Sequence, residues 1–430
     1  MGGQRQCADA GRSGRAAGVR IVSDGKVALS GVRVIEISAL SGAVCGRALA
    51  DLGAEVIKLE PEGGEPARRD LPLIPIEGGE ESASWIVFNL GKSSVTADLA
   101  TDAGLAVFEA LARTADIVVT DFQRMSLEEM DRLAAIARAA NPAVVWAEIL
   151  PFGRGHAYDH TPATDTTLQA LGGHLYQNGD VDRPPVRIGV PVGLIQAGAE
   201  ASNAALMAYY HALRTGEGQR VDVSVQECVI WTLLNTTMAW QILQLNELRG
   251  GAIRKERANQ FFTRLVWPCK DGFVVFGPVG GGGGSARIKS YDALLKWMAE
   301  DGITDDILTS RDWNGDGQFF ISQEDYDTVT DVIKRFIETK TLEELTTRAV
   351  AERILLAPIN SLGDILVNPQ HAARDYFQVL EDPLRKLSVK LPTNWARMSE
   401  TPLRAPRPAP KAGAHTATYA INAQQTESAK

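Results

Sequence analysis

The sequence predicts an α/β protein: a large doubly wound domain with a smaller α+β domain. Two observations carry this. Between about residues 31 and 150, short β-branched runs alternate with helical patterns at the spacing of βαβ units. Beyond about residue 190 that alternation stops, and a long Ala-rich helical stretch, a hairpin and a run of five glycines follow.

The first element, "GVRVIEIS" (31–38), is an apolar run bounded by glycine and serine, the pattern of a buried strand. "GAVCGRALADLG" spaces Val44, Ala48 and Leu52 by four residues and puts Gly53 where a helix ends, so it predicts a helix with a glycine C-cap. "AEVIKLE" is the next strand, and the crossover makes the two strands parallel. The pattern repeats through "SSVTADL", the helix of "TDAGLAVFEALARTA", "DIVVTDF", the helix of "SLEEMDRLAAIARAAN", and "AVVWAEI". This is a Rossmann-like arrangement. "GLIQAGAEASNAALMAYYHALRTG" predicts a long helix whose small residues admit a close neighbour. "QRVDVSV" predicts a strand, and "QECVIWTLLNTTMAWQILQ" one further helix. "RLVWPCKDGFVVFGPV" predicts a hairpin about Lys270–Gly272, and helical segments extend from about 286 to 356.

Composition narrows the function. The chain has 430 residues, enough for two or three domains, and its net charge of -9 argues against a nucleic-acid protein. Its four cysteines, Cys7, Cys45, Cys228 and Cys269, are too far apart for a metal-ligand spacing and read as reduced thiols of a cytoplasmic protein. The opening "MGGQRQCADAGRSGRAAG" has arginines but no apolar core, so it reads as a tail rather than a signal peptide, and no run approaches the ~20 apolar residues of a membrane span.

Several motifs stop short of completion. The turn "SALSGAVCG" has Gly42 and Gly46 but no GxGxxG, which leaves an NAD-dependent dehydrogenase as a distant alternative. Its helix N-terminus still has backbone N–H groups suited to a phosphate. His156 and His160 are four apart, but Asp159 and Pro162 place them in a loop. Asp312, Asn314, Asp316 and Gly317 match the first half of a calcium loop, yet Gln323 stands where the closing glutamate belongs, so a solvated acidic turn is the reading. "GGGGGSAR" (Gly280–Gly284 and on) lacks the lysine of a P-loop and is a flap or a linker. "NGDVDRPPVRIGVPVG" (178–193) has strong turn chemistry, with Asp182 close before two prolines that stiffen the chain.

Taken together, these segments resemble the class III CoA transferases, the family of formyl-CoA transferase and the CaiB–BaiF proteins. "ADLGAEVIKLE" resembles the family's "ADLGAEVIKVE", and "FNLGKSSVTADL" its Asn-x-Gly-Lys segment. "ADIVVTDF" resembles "advlvenf", and "LQALGGHLYQNGDVDRPPVRIGVPVG" resembles "qalsGlmsltGepdgpPvrvGvp". "RTGEGQRVDVSVQE" and "APINSLGDILVNPQHAARDYF" match two further segments, so the similarity runs from about residue 30 to 415.

The resemblance implies a tail over 1–29, a CoA-binding α/β domain over 30–235, a small domain with linkers over 236–375, and a return to the large domain with a C-terminal tail over 376–430. It implies a homodimer of interlocked rings. It implies transfer of CoA from an acyl-CoA to a carboxylic acid with no tightly bound cofactor and no metal, CoA being substrate. The catalytic aspartate falls on Asp182. Main chain at Ala39, Leu40 and Ser41 and the side chains of Lys92 and Phe122 carry over as CoA contacts. Pro61, Glu129 and Leu150 stand where formyl-type members have cations, so Arg68, Arg69 and Arg124 are expected to supply phosphate charge instead. α-Methylacyl-CoA racemase shares the architecture and uses a "GHD" segment; here "PATD" ends in Asp165 with Thr164 in the histidine's place, making racemase-type proton transfer the alternative. A silent partner subunit is a further one, opposed by the intact Asp182.

Overall fold

A computed structural model describes residues 27–155, 157–255, 261–277, 284–310 and 322–419. Most of the expected N-terminal tail, His156, most of the five-glycine run, the Asp312–Gly317 turn and the last eleven residues lie outside the described residues.

The large unit opens with β1 (Arg33–Ile37), α1 (Leu40–Asp51) and β2 (Glu55–Glu60), the expected βαβ unit. A hairpin of β3 (Leu73–Ile76) and β4 (Gly79–Ser82) and the short α2 (Ala83–Phe88) come next, before β5 (Ser93–Thr96). Then come α3 (Asp102–Ala112), β6 (Ile117–Asp121), α4 (Leu127–Ala140), β7 (Val145–Leu150), α5 (Asp165–Leu171), α6 (Val192–Thr215) and β8 (Arg220–Ser224). The sheet runs β5-β2-β1-β6-β7-β8 with every neighbour parallel. Strand order reverses between β1 and β6, and the crevice beyond their carboxyl ends is where such sheets bind ligands.

Every residue of β1, β6 and β7 is buried, as expected for parallel strands covered on both faces. One face packs α1 and α6, with Cys45, Leu49, Ala197, Ala201 and Ala205 in the core; the other packs α3 and α4 through Phe108, Leu111, Met130 and Leu133. The small residues of α6 let it lie close against α1. At Gly198 a Cβ would collide with the carbonyl oxygen of Ser41 in the first turn of α1. Gly53 after α1 and Gly216 after α6 both take positive φ, which closes these helices as glycine permits.

The single helix expected over 226–244 is two, α7 (Val225–Trp231) and α8 (Leu234–Leu243). The Thr232 hydroxyl donates to the carbonyl of Val229 at the break, a local bond that competes with helix continuation. Next come β9 (Ile253–Lys255) and β10 (Phe262–Arg264), paired antiparallel, then β11 (Val266–Pro268) and β12 (Phe273–Phe276), the expected hairpin. After α9 (Gly284–Glu300), α10 (Asp306–Thr309), α11 (Gln323–Glu338) and α12 (Leu342–Glu352), β13 (Leu356–Pro358) joins β12. Trp267, Phe276, Tyr291, Trp297 and Phe336 fill this second core.

The short α13 (Leu362–Val367) and α14 (Pro369–Ala373) lead to the hairpin of β14 (Phe377–Asp382) and β15 (Leu387–Pro392), and the chain then runs back to the parallel sheet. Buried Arg385 pairs with Glu81 and Asp382 and donates to the carbonyl of Ala409. Arg404 donates to the carbonyls of Gly53 and Ala54, and Gly413, His415 and Thr416 bond along β5. The edge strand is thereby covered. Among the described residues no helix is long and apolar enough to cross a membrane.

Gly198→Ala should lower stability by about 1–3 kcal/mol, because α1 and α6 must part to admit the methyl group. Urea denaturation followed by circular dichroism reads this directly; an unchanged midpoint would show that the two helices separate without cost.

Candidate active site

The crevice is organised by a carboxylate. Asp121, the last residue of β6, is fully buried and accepts hydrogen bonds from the backbone N–H of Ala39 (3.0 and 3.1 Å) and of Gly42 (3.0 Å) and from the Ser41 hydroxyl (3.0 Å). The N–H of Ser41 goes to Gln123 Oε1 at 3.3 Å. Burial pushes the Asp121 carboxyl above its ordinary range, while the N–H groups of Ala39 and Gly42 oppose that rise. The protein's own anion therefore takes the helix N-terminus that the sequence offered to a phosphate. What Ala39, Leu40 and Ser41 present beyond it is half-buried surface at Ala39 and Leu40, with half-buried Phe122 after Asp121.

Beneath α1 lies a buried ion triad. Glu36 of β1 pairs with Lys58 of β2 at 2.6 Å and with Lys92 at 2.7 Å. Lys58 also donates to the Ser38 carbonyl (2.6 Å), and Lys92 to the Ala43 carbonyl (2.9 Å) and Asn89 Oδ1 (3.0 Å). Gly46 makes the room, since a Cβ there would collide with the Glu36 carboxylate. Burial drives the Glu36 carboxyl upward, but Lys58 and Lys92 together hold it below its ordinary value. Burial brings Lys92 down to about 8, against the opposing pull of Glu36.

The cations expected at CoA differ in burial. The ammonium of Lys92 donates to Asn89 and Ala43 and is ion-paired with Glu36, so as placed it braces α1 from below. Arg68 is buried too. It pairs with Glu60 (2.8 Å) and Glu81 (3.1 Å), donates to the carbonyl of Pro410, and stacks on Trp85. Of the expected phosphate cations, Arg69 is exposed and Arg124 partly exposed, the latter with Nε on Glu65 at 3.1 Å. Glu65 donates its N–H to Glu60, so Arg124 and Arg68 belong to one chain of charges at the end of β2.

A cleft of about 260 Å³ opens beyond the ends of β6 and β7, walled by Phe122, Met125, Leu150, Phe152, Tyr158 and Pro162. Leu150, where the resembling family has a lysine, makes part of its apolar wall. The loop after β7 is fixed by Arg154, which pairs with buried Glu148 and with Asp131, the latter shared with Arg220 at 2.7 Å. Sequence reasoning did not single out Arg154 or Glu148. Their only signal was an acid inside a buried strand.

Asp182 sits on the loop that leads into α6. Asp180 to Arg183 form a turn (Arg183 N–H to Asp180 O, 3.4 Å), and Val186 N–H returns to Asn178 O at 3.1 Å. Arg249, from the segment after α8, donates to the carbonyls of Asp180 (3.2 Å) and Arg183 (2.8 Å), while Gly251 N–H reaches Gly179 O at 2.9 Å. The backbone is pinned, but the Asp182 side chain is 80% exposed, with Arg183 Nε 4.0 Å away. Asp165 plays a different part. Its Oδ1 accepts the N–H of Leu194 in the first turn of α6 (3.1 Å), and its other oxygen takes the Gln169 amide of α5. Asp182 connects to the crevice through α6, whose Gly198 abuts Ser41.

The family model described as CoA-transferase family III matches residues 29–416. The chain is 32% identical over 403 residues to the succinate–glutarate CoA-transferase of Agrobacterium fabrum, covering 91% of this chain and 94% of that one. It is 28% identical to a subunit of the succinyl-CoA:(R)-benzylsuccinate CoA-transferase of Thauera aromatica, covering 89% and 91%. A crystal structure of a CaiB/BaiF family protein from Brucella suis superposes with a TM-score of 0.76 at 25% identity, over 93% of this chain and all of that one.

Glu36 titrates below its ordinary 4.5 in the folded chain, so it contributes stability that is present above that pH and is lost as the pH falls through the folded value. Glu36→Gln should therefore cost about 3–5 kcal/mol at pH 7, since it leaves two buried cations short of a partner. The gap between variant and wild type should shrink as the pH drops below about 4.5. Denaturant titrations from pH 7 to pH 3.5 check both statements.

Proposed function

Since the chain belongs to CoA-transferase family III, we propose that it moves CoA from a succinyl-CoA-type thioester to a second dicarboxylic acid, with Asp182 as the covalent carrier. The observation that carries this reading is the Asp182 loop: backbone clamped by Arg249 and Gly251, carboxylate left open. A carboxylate needs those two things to act as a nucleophile, a fixed position and no hydrogen-bonded partner that quenches it.

The chemistry closes with that one residue. An Asp182 oxygen attacks the thioester carbonyl carbon, the C–S bond breaks, and CoA leaves as thiolate. The product is a mixed anhydride between Asp182 and the acyl group. The thiolate then attacks the Asp182 side-chain carbonyl and expels the donor acid, giving an aspartyl-CoA thioester. The acceptor carboxylate attacks that carbonyl and the two steps reverse. Each step exchanges a carboxylate for a thiolate at a carbonyl carbon and needs no net proton transfer.

CoA is placed across the ends of β1 and β6, on the Ala39–Ser41 surface and Phe122, with the adjoining apolar cleft for its less polar parts and Arg124 for phosphate charge. Lys92 and Arg68 act from behind, by holding α1 and the end of β2. A dicarboxylic acceptor is favoured because the names of both relatives above carry dicarboxylic acids. The engagement of Asp165 with Leu194 and Gln169 makes it a support of α6 rather than a proton-transfer base.

Asp182→Ala should lower transfer from succinyl-CoA to glutarate by at least about a thousandfold without unfolding the chain, because the side chain is exposed. Hydroxylamine present during turnover should mark wild-type Asp182 as a hydroxamate, read by peptide mass. Asp165→Asn should be milder, since an amide oxygen still accepts from Leu194. Near-normal transfer by Asp182→Ala would end the proposal.

The assembly is a homodimer in this reading. Along α7 and α8, Trp231, Met238, Trp240, Ile242 and Leu243 are each about half exposed or more, an apolar surface larger than scattered residues account for. Light scattering should give about twice the 46.4 kDa chain mass. An active monomer would refute the assembly.

A further inference from the structure

Resting on Asp182 as nucleophile and a dicarboxylic acyl group, we propose that Arg183 holds the acyl group's second carboxylate and thereby keeps the mixed anhydride from closing on itself. Arg183 places Nε 4.0 Å from Asp182 Oδ1 and 3.8 Å from Asp180 Oδ2, and its side chain is 72% exposed. Neither ion pair reaches hydrogen-bond length, so the guanidinium retains donors for another anion. Its backbone is fixed on both sides: the carbonyl accepts from Arg249, and Pro184 restricts its conformation. Asp180 is held in turn, packed against Gly251, where a Cβ would collide with its carboxylate.

A succinyl group spans about 4 Å from its acyl carbon to its carboxylate carbon, three single bonds. An acyl carbon bound to Asp182 thus puts the far carboxylate within reach of a guanidinium at this separation. Timing favours the transfer of partner. Before attack Arg183 faces the Asp182 carboxylate; when that oxygen becomes part of the anhydride its charge departs with CoA thiolate, and the acyl carboxylate becomes the anion next to Arg183.

The restraint has chemical consequence. In a succinyl anhydride the free carboxylate carbon lies three bonds from the activated carbonyl carbon. Its oxygen can attack the acyl carbon, forming the C–O bond of a five-membered cyclic anhydride and breaking the bond to Asp182, which leaves as carboxylate with the electron pair. The cyclic anhydride adds water and becomes succinate. The net result is thioester hydrolysis, with free CoA left behind. Ring closures of this kind reach effective molarities on the order of 10⁵ M or more. Pairing the carboxylate with Arg183 directs it away from the carbonyl.

The test uses full-length wild type, Arg183→Gly and Arg183→Lys. Glycine is what the resembling family pattern carries at this place, so that variant suits the loop. Enzyme at stoichiometric concentration is mixed with glutarate and either succinyl-CoA or its monomethyl ester, whose blocked carboxylate cannot cyclise. Free CoA and glutaryl-CoA are counted by mass spectrometry. With succinyl-CoA, Arg183→Gly should release free CoA per transfer at least about tenfold more often than wild type, with Arg183→Lys between them. With the ester donor the ratio should not differ among the three proteins. An equal rise with both donors means water entry, and no rise with either means no restraint; each overturns the proposal while hydroxylamine capture of Asp182 leaves the nucleophile standing. Loss of that capture in wild type overturns the nucleophile and this proposal together.

Discussion

The bond set between Asp121 and the first turn of α1 is the constraint on which the crevice depends. A fully buried carboxylate is costly unless paired or hydrogen-bonded. Here two backbone N–H groups, a serine hydroxyl and the positive end of a helix dipole share the compensation. The same bonds join the ends of β1 and β6, the point where strand order reverses. The Glu36 triad does the corresponding work below, tying β1, β2, Asn89 and the Ala43 carbonyl into one charge-balanced knot. Helix α1 is thus fixed at its start and along its underside before any ligand arrives.

That rigidity passes to the other half of the site by contact rather than by charge. Gly198 lets α6 rest on Ser41, so the position of α1 sets the position of α6. Asp165 then fixes the first turn of α6, and the Asp182 loop enters that turn through Pro191. Arg249 and Gly251 hold the loop from the far side. The Asp182 carboxylate is located by four separate segments of chain, although its own side chain touches little.

Much of this was legible. The alternation of strand and helix, the glycine after α1, the hairpin at Lys270–Gly272 and the turn chemistry around Asp182 are local patterns, and the structure reproduces those elements. What failed to show was the destination of charge. The resemblance offered Lys92 as a CoA contact and Arg68 as a phosphate cation, and the sequence displays either charge without its partner. Arg68 meets Glu60 and Glu81 through the turn and hairpin that follow β2, 8 and 13 residues away, whereas Lys92 meets Glu36 only when β1, β2 and β5 lie side by side. The same holds for Arg385, whose acid Glu81 lies 304 residues earlier. Asp121 was visible at the end of "DIVVTDF" but carried no mark of being the anion that fills the helix N-terminus. The break between α7 and α8 was missed for a smaller reason: a threonine hydroxyl that bonds its own backbone leaves no trace in hydrophobic periodicity.

The exposure of Asp182 poses the last question of design. A mixed anhydride does not survive in open water, and in the single chain its carboxylate stands 80% exposed on a loop that also exposes Val181, Val186 and Val190. A chain that meant this loop for solvent would have no need of three valines around an acid. The loop and the apolar face of α7 and α8 therefore present the same demand, a surface that removes both from water. The proposed second copy of the chain would meet it in one step, since burying the valines would also dry the carboxylate. On this view assembly and catalysis are not separate requirements. The desolvation that would bind two chains is the desolvation that would let the proposed anhydride wait for thiolate instead of water.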